Sequence, residues 1–131
     1  MSLDFTFEGE LTSSRVLEPH NGQSRFEASY GGKGTFANHE VTFLNTYVSV
    51  EKKPGTYLAT GYFLITTTDG AASALLEGTG SVVRAHGEAV LNWDTVFSVS
   101  SSSKVFRDLQ GTLARGVIKN ADNGRQKGKL T

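Results

Sequence analysis

The side chains able to do acid–base chemistry are scattered through stretches of alternating polar and apolar residues. Glu8, Glu10, Glu77, Glu88 and Asp94 all stand inside segments that read as well-formed strands. On an outer face such a carboxylate is simply solvated. In an apolar interior, loss of hydration raises its pKa and makes it an acid or base near neutral pH. His20, His39 and His86 sit beside Asn21-Gly22, Asn38 and Gly87. They lack the short His-to-His spacing of a metal site and read as surface residues. The absence of cysteine excludes a thiol nucleophile, a disulfide scaffold and thiolate-bound zinc. Gly31-Gly32-Lys33-Gly34 has neither the upstream spacing nor the hydroxyl residue and helix of a phosphate loop, so a strand-end turn is expected. Ser101-Ser102-Ser103-Lys104 matches a serine–lysine acyl-enzyme pattern only formally, within a run of serines. No metal and no cofactor is expected.

A second set is aromatic. Tyr47, Tyr57, Phe63, Trp93 and Phe97 lie on the more aromatic or more continuously apolar faces of their segments. Inside a barrel, such rings either fill the core or wall a ligand cavity in which a few polar groups set orientation. As cavity walls they would take an apolar small molecule.

These residues must be positioned by strands, because the dominant period is two. Leu3, Phe5, Phe7 and Leu11 alternate with polar neighbours, predicting a strand over 3–12. Alternation over 25–30 ends at Gly31-Gly32, and threonine, valine and aromatics fill 40–50. Strands over 56–67 and 71–83 flank Asp69-Gly70, a strong hairpin signal. A turn near Ala85-His86-Gly87 leads into 88–99, where Leu91, Trp93, Thr95, Phe97 and Val99 share a face. Residues 112–119 and 125–130 close the chain around Asn123-Gly124, and only 104–110 has room for a short helical turn. The expected fold is all-β: one domain over 1–131, a closed antiparallel barrel of about eight strands.

Charge supports closure. The chain holds 13 basic and 13 acidic residues, but residues 1–51 carry seven acids to three bases, and residues 104–131 seven bases to two acids. First and last strands lying side by side would pair these charges. The overall balance argues against a nucleic-acid partner. No apolar run is long enough to span a bilayer as a helix, and acids interrupt the first apolar stretch; a cytoplasmic setting is the expectation. Several strands are apolar on both faces: Tyr57, Phe63 and Ile65 oppose Leu58, Tyr62 and Leu64, and Phe43 and Tyr47 oppose Leu44, Val48 and Val50. An apolar outer wall predicts a homo-oligomer, with a dimer the commonest form.

The segment from Gly34 to Leu130 resembles the allene oxide cyclase-like barrels, relatives of the dirigent proteins. The likeness rests on Gly34-Thr35-Phe36, the hairpin Thr66-Thr67-Thr68-Asp69-Gly70, Gly78-Thr79-Gly80, and Phe106 with Gly111. In the plant cyclases an acidic residue on the first strand works with a following asparagine, a proline and a cysteine. The resemblance places Glu8 at the carboxylate, Glu10 where asparagine would stand and Pro19 at a compatible distance, while the cysteine is absent. It implies a cofactor-free cyclase or isomerase that folds a flexible apolar substrate, with Glu8 as its acid–base group. The alternative is a non-catalytic small-molecule binder or structural oligomer.

Overall fold

The computed structural model describes residues 2–83 and 89–131. Eight strands follow in order: β1 (Phe5–His20), β2 (Gln23–Phe36), β3 (His39–Lys53), β4 (Thr56–Thr67), β5 (Ser73–Val83), β6 (Val90–Ser100), β7 (Leu113–Ala121) and β8 (Arg125–Leu130). Each pairs antiparallel with the next, and β8 returns to β1, closing one barrel. A 3-10 helix over Lys104–Leu109 joins β6 to β7. The expected turn at Ala85-His86-Gly87 lies outside the described residues, as do His86 and Glu88.

The closing seam pairs Phe5–Glu10 with Arg125–Leu130. Arg125 reaches Glu10 at 3.9 Å across it. β1 is longer than the period over 3–12 predicts. Past a bulge between Leu11 and Ser13 it runs on to His20, paired only with β2, because β8 is too short to follow. The Asn21-Gly22 turn, with φ of 53° and 73°, supplies the two left-handed residues of a tight hairpin.

Gly31-Gly32-Lys33-Gly34 is not a turn but the middle of β2. The reason is steric. Gly34 and Gly128 flank Phe7 on its two sides in the ladder. A Cβ on Gly34 would fall onto the Thr6 carbonyl oxygen, and one on Gly128 would come 2.6 Å from the Phe7 ring. Glycine at these inward positions lets neighbouring strands coil sharply while Phe7 fills the space that their side chains would occupy.

Inward parity then follows from the sequence. Phe5, Phe7, Phe36, Phe43, Phe63 and Phe97 interlock in the lower barrel, mostly edge to face at 5.0–6.1 Å between ring centroids. Phe106 and Leu109 of the 3-10 helix close the base from below, both fully buried. The mouth lies at the opposite end, beside the β1–β2, β3–β4 and β7–β8 turns.

Candidate functional site

Above the phenylalanine layer, the inward faces of β3, β7 and β8 change character. β3 reads Val41, Phe43, Asn45, Tyr47, Ser49 along its inward face, and Asn45 and Ser49 are buried. β7 turns from Ala114 and Ile118 to buried Asn120, and β8 contributes buried Gln126. Barrel closure brings these three amides together. Gln126 Nε2 donates to Asn45 Oδ1 at 3.0 Å, and Asn45 Nδ2 donates to the Tyr62 carbonyl oxygen at 2.9 Å. Asn120 Nδ2 donates to the Tyr47 phenol at 3.1 Å.

Donors and acceptors do not balance. The Trp93 indole N–H, Asn120 Oδ1 and Gln126 Oε1 are buried with no hydrogen-bond partner among the described residues. All three residues line one internal cavity of about 30 Å³, with Asn45, Tyr47, Phe97 and Ile118. A buried polar group without a partner costs on the order of 1–3 kcal/mol. Three on one cavity, a donor and two acceptors, match a guest that accepts one hydrogen bond and donates others. Water has that pattern, and so in part does a hydroxyl group. The volume admits one or two waters.

Aromatic rings frame the approach from the mouth. Tyr47 packs on Trp93 at 5.5 Å and lies parallel to Tyr30 at 6.2 Å. Half-buried Phe26 sits 6.4 Å from Tyr47 and 6.0 Å from Tyr57. Burial drives the Tyr47 phenol far above its ordinary range, and the neighbouring Tyr30 adds to the effect. Tyr30 is also raised by burial. These phenols are therefore neutral hydrogen-bonding groups, not bases.

The five ring residues expected inside the barrel all face inward, but they divide. Tyr47, Trp93 and Phe97 meet at the cavity. Phe63 is core, fully buried among Phe5, Phe7, Phe43 and Phe97. Tyr57 stands at the mouth, half-buried, where burial followed by the nearby Glu51 raises its phenol. Glu8, the expected acid–base group, does not join them. It is exposed on the outer wall, because Phe5 and Phe7 take the inward parity of β1. Glu10, Glu77 and Asp94 are exposed too, while Glu51, half-buried at the inward parity of β3, stands at the mouth beside Tyr57. His39 bonds the Ala37 carbonyl at 2.8 Å beside Phe106, and His20 is exposed. No group of acidic and histidine residues able to hold a metal occurs among the described residues.

Asn45, Asn120 and Gln126 escape the sequence reading, although a signal exists. Each is an amide at inward parity on an otherwise apolar face. No described helix is long and apolar enough to cross a membrane. Comparison with protein-family models, curated proteins and solved structures finds no match for the chain.

Proposed function

We propose that this barrel is a non-catalytic binder of an uncharged, mostly apolar small molecule bearing one hydroxyl group. The observation that carries the reading is the convergence of the Trp93 N–H, Asn120 Oδ1 and Gln126 Oε1 on one cavity without partners. The ligand hydroxyl accepts a hydrogen bond from the indole N–H and donates one to Asn120 Oδ1. Its ring stacks among Tyr47, Trp93 and Phe26. The cavity alone holds only water, so entry of an organic molecule requires Phe26, Tyr47 and Tyr57 to move at the mouth. A cofactor-free cyclase of the allene oxide cyclase-like kind is the second reading, supported by the barrel architecture. It would act by holding a reactive conformer, since Glu8 faces away and Tyr47 stays protonated. Thermal unfolding tests the binding reading. Phenol should raise the melting temperature saturably, by the equivalent of about 2.7 kcal/mol at a hundred times its Kd. Toluene, matched in shape but lacking the hydroxyl, should do much less. No stabilisation by phenol would overturn the proposal.

The same proposal includes assembly. Leu44, Leu64 and Leu75 fall in one register row on the outer wall, with Tyr62 beside it. Leu44 is 61% exposed and Tyr62 54%, so nothing among the described residues covers them. A second copy meeting this row face to face would bury it, and a two-fold pairing puts like apolar residues against like. Light scattering should give a dimer that Leu64→Lys converts to a monomer; a monomer in the unaltered chain at high micromolar concentration contradicts it.

A further inference from the structure

On the wall opposite the leucine row, the closing seam gathers an excess of cations. In the ladder, Lys119 of β7 stands directly opposite Lys127 of β8. Lys127 in turn faces Glu8 of β1, and Glu8 faces Lys33 of β2. One outward row therefore reads Lys119, Lys127, Glu8, Lys33. Lys129 lies two residues along β8 on the same face. Arg115 borders the same groove, which has a volume of about 1080 Å³ and whose only other charged residue is Glu40, at its far side. Five cationic side chains meet two carboxylate side chains there.

Like charges directly opposite one another in a ladder are destabilising. The register that closes the barrel nonetheless fixes Lys119 against Lys127. Among the described residues neither forms an ion pair, and neither do Lys33, Lys129 or Glu8. The seam's own charge matching is met instead at Glu10 and Arg125. Strand spacing sets the geometry. Lys119 and Lys127 are rooted about 5 Å apart, Lys127 and Lys129 about 7 Å apart along β8, and Lys33 about 10 Å from Lys127 across β1. Three lysines thus surround a space suited to one tetrahedral anion, and Lys33 reaches a second anionic group from the far side of Glu8.

We infer that this seam groove is a binding site for a compact multivalent anion carrying two or more phosphate or sulfate groups. The ligand relieves the Lys119–Lys127 repulsion, which gives the site its preference over other lysines on the surface. This inference is independent of the lumen reading, since none of its residues enters the cavity.

Calorimetric titration at low salt with tripolyphosphate, and separately with sulfate and a short single-stranded RNA, tests it. Tripolyphosphate should bind saturably at one site per chain, more tightly than sulfate, with affinity falling as salt rises. Lys119→Ala with Lys127→Ala should weaken binding at least tenfold without lowering the melting temperature, because a repulsive pair is removed. Lys52→Ala with Lys53→Ala removes the same charge elsewhere and should leave affinity within about twofold. Equal weakening in both variants, absence of saturation, or binding of RNA alone would each overturn the inference.

Discussion

The two halves of the barrel interior are built on opposite terms. Below, Phe5 touches four other rings, stacking on Phe7 at 4.5 Å and meeting Phe36, Phe43 and Phe63 edge on. Its shell is apolar and closed by Phe106. Above, four buried polar atoms, including Ser49 Oγ, have no partner among the described residues. A protein that needed only a stable barrel would have continued the phenylalanine layer upward. The lower half supplies stability, and the upper half gives some of it up to keep a polar cavity.

Substitutions in the two halves should therefore differ in kind. Phe5→Ala empties the most connected position of the lower layer and should cost roughly 3–5 kcal/mol, read by denaturant unfolding. Asn120→Leu, of similar volume, removes an unsatisfied acceptor together with the amide's hydrogen bond to Tyr47, whose phenol stays beside Tyr30. It should change stability by less than about 1 kcal/mol while abolishing the phenol effect. A loss as large as that of Phe5→Ala would erase the distinction between the halves.

pH sharpens the contrast further. Tyr47 and Tyr30 have folded pKa values raised above the ordinary 10.0. The folded state then holds protons that the unfolded chain releases. Stability is full below pH 10 and falls as pH rises beyond it. Tyr47→Phe should flatten that alkaline loss, as followed by circular dichroism from pH 8 to 12. The smallest effect is expected at the base. Thr67 Oγ1 and the Ala71 N–H both donate to Asp69 Oδ1, at 2.7 and 2.9 Å, and hold its carboxyl below the usual range. The resulting stability is present above pH 4 and fades as acid protonates the group. Asp69→Asn should therefore lower stability slightly at neutral pH and show a correspondingly shallower acid limb, converging with the unaltered chain in acid.

Much of this was legible in the residues. Alternation at Trp93 and Phe97 and at Phe63 and Ile65 pointed to the faces that turn inward, while on β1 the choice between Phe5 and Phe7 or Glu8 stayed open. Asp69-Gly70 and Asn123-Gly124 marked their hairpins, and the opposed end charges pointed to closure. What failed did so for definite reasons. Gly31 to Gly34 reads as a turn because local composition cannot report that Phe7, more than twenty residues away, needs flanking glycines. Glu8 attracts attention as a strand carboxylate, yet its own neighbours Phe5 and Phe7 take the inward parity and leave it on the outer wall. The amide cluster was hardest, since Asn45, Asn120 and Gln126 are joined only by barrel closure. Their inward parity is visible in sequence; their convergence is not.

Trp93 is the sole tryptophan, so its indole N–H gives a single nitrogen–proton cross-peak. Following that peak during a phenol titration tests the central claim most directly. A saturable displacement is expected as the phenol oxygen accepts a hydrogen bond from the indole N–H, lost in Asn120→Leu and not reproduced by toluene. A peak that stays in place up to the solubility limit of phenol would contradict it.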